Sequence, residues 1–167
     1  LRARVGVPLP GRHVGADAGA ARLARAPPAG ALQRPLPRPQ PHPPEEVVSI
    51  INDYFETMSS VINQFGGTLD KYVGDQIMAI WNAPTTQKNH AELAVRCALA
   101  QLEALKRLQE KWQKSGKNIF EISIGINTGS VVVGNMGSSN HLNYTVMGDP
   151  VNLAARLQMI TREYDQP

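Results

Sequence analysis

Residues 66–81 read GGTLDKYVGDQIMAIW. Two short runs, Thr68 to Val73 and Gln76 to Trp81, flank Gly74-Asp75, the usual hairpin-turn pair in reversed order, so the stretch predicts an antiparallel hairpin. Its neighbours decide what that hairpin belongs to. Upstream, Val48, Ile51, Tyr54, Phe55, Met58, Val61, Ile62 and Phe65 recur at intervals of three and four, a helix started by Pro43-Pro44 and stopped by Gly66-Gly67. Downstream, after a polar loop from Pro84 to Asn89, a second helix runs from about Ala91 to Lys114, with Val95, Ala98, Leu102, Leu105, Leu108 and Trp112 along one side.

Alternation then replaces helical spacing. Phe120, Ile122, Ile124 and Ile126 point one way, and Glu121, Ser123 and Asn127 the other, as in a half-buried strand. Thr128-Gly129 turns it into an apolar strand, Ser130 to Val133, and Gly134 to Asn143 reads as a Gly/Ser/Asn loop. Asp149 followed by Pro150 reads as an N-cap and first-turn residue of a helix through Ile160. Helix, hairpin, helix, hairpin, helix implies an antiparallel sheet with helices packed on it, an α+β fold. A ferredoxin-like unit begins with a strand, and residues 1–44 offer none with convincing apolar alternation.

Those first 44 residues are of another kind. They use nine amino-acid types, hold ten of the 13 prolines, and carry seven arginines against Asp17 alone. Residues 45–167 carry 10 basic and 13 acidic side chains, a net of −3, so the basic character belongs to the leader and gives no reason to expect a nucleic-acid partner. The leader is expected to be disordered or extended, since it has too little aromatic and β-branched surface to offset the entropy of ordering. Transit peptides share its Arg-rich, acid-poor start but are rich in Ser and amphipathic, which it is not. Its G/C-codon alphabet and the abrupt change at Glu45 suggest instead a frameshifted translation. The chain thus divides into a leader, 1–44, and a domain of ordinary composition, 45–167.

No apolar run approaches the length of a membrane span. Cys97 is the single cysteine, which excludes an internal disulfide and fits a reducing compartment; among apolar helix positions it reads as a small core residue.

Two places have chemical promise. Asp75 follows a Gly at a hairpin tip, where a carboxylate on rigid strands suits a hard cation such as Mg²⁺, though turn aspartates commonly just bond their own backbone. Asn152 and Arg156, four apart on a helix, project from one face, where an amide beside a guanidinium suits ribose and phosphate; an ordinary solvated face looks the same. Gly125, Gly129, Gly134 and Gly137 match neither a Walker loop nor a dinucleotide fingerprint.

Taken together, the blocks Gly66 to Ala79, Ile124 to Gly129 with Gly134-Asn135-Met136-Gly137, and Tyr144 to Arg156 resemble the class III adenylyl and guanylyl cyclases, in the family's order and spacing over about 120 residues. The resemblance implies a ferredoxin-like domain acting as a head-to-tail homodimer, in the cytoplasm, with ATP at the interface. Two Mg²⁺ (or Mn²⁺) ions on two aspartates of one subunit would activate the ribose 3′-hydroxyl and stabilise charge on the α-phosphate, giving cyclic AMP and pyrophosphate. By position Asp75 matches the second metal aspartate. Lys71 and Thr145 match the pair that reads the adenine edge; guanylyl enzymes typically carry an acidic residue and a small thiol or hydroxyl there. Asn152 would orient the ribose and Arg156 would stabilise the phosphate, both from the opposite subunit.

The first metal aspartate of the family has no counterpart in residues 1–44, where Asp17 stands in a Gly/Ala run. The family's last strands and triphosphate-binding Lys are not found before Pro167. This chain is therefore expected to turn over ATP poorly or not at all, and a degenerate, non-catalytic nucleotide-binding or dimerisation module is the competing reading.

Overall fold

The computed structural model describes residues 3–6, 14–16, 18–26, 44–117, 119–161 and 164, with side chains from Glu45 onward. Its elements are β1 (Ala3–Gly6), β2 (Val14–Ala16), β3 (Ala18–Ala26), α1 (Pro44–Gln64), β4 (Thr68–Val73), β5 (Gln76–Trp81), α2 (His90–Lys114), β6 (Glu121–Gly129), β7 (Val132–Ser138), β8 (His141–Met147) and α3 (Asp149–Ile160). They form two four-stranded sheets, β4-β5-β3-β6 and β2-β1-β7-β8.

The first sheet is antiparallel throughout, and β3-α1-β4-β5-α2-β6 is the ferredoxin-like arrangement with β3 at its centre. The strand judged absent from the leader is therefore present. Ala18–Ala26 pairs with both β5 and β6, nine ladder positions long on the β6 side. Its sequence, AGAARLARA, has no apolar alternation because pairing on both edges supplies its backbone partners whatever its side chains. The expectation of a leader without strands fails at residues 3–6, 14–16 and 18–26; Asp17 and residues 27–43 lie outside the described residues.

One core lies between the helices and this sheet. Ile50, Tyr54, Met58, Val61 and Ile62 of α1 meet Ala94, Cys97, Leu105, Leu108 and Trp112 of α2 over Ile77, Ala79, Trp81 and Ile122. The buried stripes differ in detail from the sequence reading, since Val48 and Val95 are exposed and the stripe of α2 enters through Ala94 and Cys97. Trp112 anchors α2 by donating Nε1–H to Asp53 Oδ2 of α1 at 3.2 Å, and Trp81 donates to the Phe65 carbonyl at 3.0 Å. Burial pushes the Cys97 thiol up to about 12, so it is a core residue and not a nucleophile.

The opposite face of the sheet is also covered, which a half-buried strand did not anticipate. Met78 and Ile80, on the other face of β5, pack against Val133 and Val146 of the second sheet and Val131 just before β7. Over β6 and β3 lies α3. The alternate residues of β6 that looked solvent-facing are its seat: Gln158 Nε2 donates to Ser123 Oγ, and Asn127 Nδ2 donates to the Pro150 carbonyl at 3.0 Å. Between them, a Cβ on Gly125 would stand 2.0 Å from the Ala154 carbonyl oxygen, so the helix can approach only over a glycine.

The segment expected to be a loop, Gly134 to Asn143, is instead most of the β7–β8 hairpin, paired from Val132↔Met147 to Ser138↔His141. Its far end has few apolar side chains, so backbone pairing forms it without the alternation that would betray it. Gly137, at φ 146°, permits the turn; a Cβ there would meet the His141 carbonyl oxygen at 1.9 Å.

Candidate nucleotide site

Asp75 sits after Gly74, whose φ of 63° with open space around it gives the hairpin a left-handed turn residue. Beneath the tip, Tyr54 is fully buried, and its hydroxyl has no hydrogen-bond partner among the described residues. Burial, then the charge of Asp75, pushes the Tyr54 phenol far above its usual range.

Lys71 lies four residues before Asp75, on β4. The pairing of β4 with β5 slips between Leu69 and Lys71, leaving Asp70 as the extra residue. A bulge breaks the alternation that would send neighbouring side chains to opposite faces, and re-aims one of them. Here the Asp70 side chain turns inward, 1% exposed, with Oδ1 3.8 Å from Lys71 Nζ. Across the gap between the two sheets, Thr145 of β8 donates its hydroxyl to Asp70 Oδ2 at 2.9 Å. Thr145 is itself 5% exposed. Burial holds the Asp70 carboxyl above the usual carboxylate range, while the Thr145 hydroxyl, the Lys71 ammonium and the Val146 backbone pull it back. The structure thus brings Lys71 and Thr145 together on one buried carboxylate.

Asn152 and Arg156 share the exposed face of α3, one turn apart. No described hydrogen bond or ion pair joins them to the Lys71–Thr145 group. Arg156 Nη2 is 3.6 Å from Asp149 Oδ1, a pair open to solvent on both sides. Asp149 is not the N-cap of this helix: Gly148 occupies that position and Asp149 is the first helical residue, free to hold the guanidinium. Sequence reasoning missed Asp70, because a bulge has no signature of its own; a carboxylate directly before Lys71 in a strand was the available hint.

The profile of the Adenylate and Guanylate cyclase catalytic domain matches residues 39–164. The chain belongs to that family. Over 121 residues it is 43% identical to "Adenylate cyclase 1" of Rhizobium meliloti (strain 1021), covering 72% of this chain and 18% of the relative. It is 35% identical over 122 residues to "Adenylate cyclase" of Anabaena cylindrica, 72% of this chain and 24% of that one. The chain therefore spans about a fifth to a quarter of the length of these curated relatives. Among solved structures, the guanylyl cyclase Cya2 superposes with a TM-score of 0.75 at 36% identity, over 86% of this chain and 69% of that one. The adenylyl cyclase CyaB from P. aeruginosa gives 0.75 at 31%, over 86% and 71%. A guanylyl and an adenylyl cyclase domain are thus equally close in shape.

Two metal ions do not fit the carboxylates in place. The ladder from Gly19↔Trp81 to Leu23↔Ile77 brings the end of β3 after Leu23 beside the Asp75 turn, and that end reads Ala24-Arg25-Ala26. The central strand thus offers an arginine position where a second carboxylate would be needed. Among the described residues no group of three His, Cys, Asp or Glu side chains could hold a metal ion. Nor, among them, is any helix long and apolar enough to cross a membrane.

Proposed function

We propose that this chain carries the nucleotide-reading part of an adenylyl cyclase catalytic domain. The reaction is attack of the ribose 3′-hydroxyl of ATP on its own α-phosphate, yielding cyclic AMP and pyrophosphate for intracellular signalling. One observation carries the reading: Lys71 and Thr145, from different sheets, converge on Asp70. An ammonium beside a hydroxyl suits an adenine edge, which presents a ring-nitrogen acceptor next to an amine donor. Asn152 orients the ribose and Arg156 places charge at the phosphate, reaching a site shared with a second copy.

Homodimerisation is supported by the apolar side chains exposed beside that face: Met147, Leu153, Leu157, Met159 and Ile160, each at least a third exposed. The intact family domain holds two Mg²⁺ or Mn²⁺ ions; among the described residues Asp75 is the one carboxylate so placed, so these residues account for holding the nucleotide and not for the ions. The same observation favours the second reading, a cyclase-like module that binds nucleotide without turning it over. A cytoplasmic place follows from the use of ATP.

Displacement of a fluorescent trinitrophenyl-ATP from the full chain by ATP tests nucleotide binding. Lys71→Ala should weaken ATP about tenfold, the scale of one charge-assisted hydrogen bond. A folded, dimeric chain that does not bind ATP would contradict both readings.

A further inference from the structure

Asp70 is the residue on which the two base-reading side chains, Lys71 and Thr145, meet. A hydroxyl has one proton and two lone pairs, and it can turn either toward a partner. When its proton is committed elsewhere, what it presents is an acceptor. Thr145 donates to Asp70 Oδ2 at 2.9 Å from a position 5% exposed, and a carboxylate, having no proton of its own, cannot exchange roles with it. Toward a bound base, Thr145 Oγ1 then offers lone pairs alone. Such a group accepts from the 6-amino group of adenine and meets the 6-oxo group of guanine or hypoxanthine lone pair to lone pair.

We propose that Asp70 is the specificity-determining residue of this site: it fixes Thr145 as a hydrogen-bond acceptor, so the chain binds 6-aminopurine nucleotides and rejects 6-oxopurine ones. Asp70 does not touch the base; it acts through Thr145 and is a positioning residue. The bulge at Leu69/Lys71 is the device that makes this possible, because it aims the carboxylate at β8 while Lys71, 40% exposed, remains available above it. The inference rests on Lys71 and Thr145 being the base-reading pair. It also explains how a fold shared equally with a guanylyl and an adenylyl enzyme is committed to one purine.

The test compares ATP, ITP and GTP as displacers of trinitrophenyl-ATP from the full chain. ITP carries the 6-oxo group, with the N1–H that accompanies it, but lacks the 2-amino group of GTP, so it sets the amino-to-oxo change apart from the 2-amino group. The native chain should prefer ATP over ITP by about tenfold or more, since a mismatched buried acceptor loses one hydrogen bond and leaves a polar group unpaired. Asp70→Ala frees the Thr145 proton and should lower the ratio severalfold, leaving only the part that Lys71 draws from the ring nitrogen. Asp70→Leu should do the same with the volume filled, which guards against a cavity that unfolds the alanine variant. Asp70→Asn, whose carbonyl still accepts from Thr145, should keep most of the preference.

Three results separate the claims. Folded Asp70→Ala or Asp70→Leu with the native ATP:ITP ratio overturns the role of Asp70, and a native chain indifferent to ATP and ITP overturns it without any variant. Thr145→Val that binds ATP with an unchanged ratio removes Thr145 from base reading, and the inference with it, but leaves Lys71 and the cyclase reading standing. A native chain that does not bind ATP at all contradicts the proposed function itself.

Discussion

Asp70 is a carboxylate that the fold buries and then partly compensates, and this leaves a signature in pH. Burial is the largest influence and raises its pKa; Thr145, Lys71 and the Val146 backbone oppose it without cancelling it. The unfolded chain ionises Asp70 near its ordinary value of 3.8, and the folded chain at a higher pH. Between those two values the folded chain binds more protons, so Asp70's contribution to stability falls as pH rises through that window and is regained in acid. Asp70→Asn does not titrate. Thermal melts of both proteins from pH 3 upward should therefore show the native Tm losing ground to the variant as the carboxylate ionises; a native Tm that gains ground with rising pH would contradict the assignment. At this scale the sequence motifs singled out Lys71, Asp75, Thr145, Asn152 and Arg156, and of these the structure draws Lys71 and Thr145 together on one carboxylate. Asp70 was not legible there, because its importance comes from a register slip that no residue type announces.

At the scale of elements, β6 and α3 carry the clearest commitment. Ser123, Gly125 and Asn127 form a small, polar strip that receives Gln158, the Ala154 carbonyl and the Pro150 carbonyl. Gly125→Ala would place a methyl group 2.0 Å from that carbonyl, so strand and helix must separate. The expected cost is about 1–3 kcal/mol, as for other overpacked cores, measurable as a lowered urea midpoint. Because α3 carries Asn152 and Arg156, ATP binding should weaken more than stability alone accounts for. A variant with native stability and native ATP affinity would mean that α3 does not depend on this seat. The helices and the β4–β5 hairpin were readable because their periodicities are strong: the hairpin bounds agree residue for residue, and the ends of α1 and α2 fall within one residue. The β7–β8 hairpin and β3 were not, because glycine, alanine and serine can be held in strands by ladder bonds while leaving no hydrophobic pattern. The second face of β6 was misread for a related reason: polar residues at alternate positions signify solvent only when no polar helix surface is there to meet them.

For the whole molecule, the central sheet is complete in backbone and incomplete in chemistry. β3 fills the middle of the ferredoxin-like sheet, but AGAARLARA brings no carboxylate to the end that lies beside Asp75. Among the described residues the frame of the family is therefore present and Lys71 and Thr145 converge on Asp70, while β3 brings no carboxylate to stand beside Asp75. This separates what the domain descends from and what this polypeptide does. It also explains why composition misled at this scale: a basic, proline-rich leader and an acidic catalytic remainder average to an unremarkable chain. The most direct measurement is cyclic AMP formation from ATP with Mg²⁺ or Mn²⁺, made on this chain and on one whose first 43 residues are replaced by a family first strand ending in aspartate and which is extended by the family's last strands with their triphosphate-binding lysine. The account predicts product from the replaced chain and little or none from the present one. A folded, dimeric replaced chain that makes no cyclic AMP, or full turnover by the present chain without a second carboxylate, would contradict it.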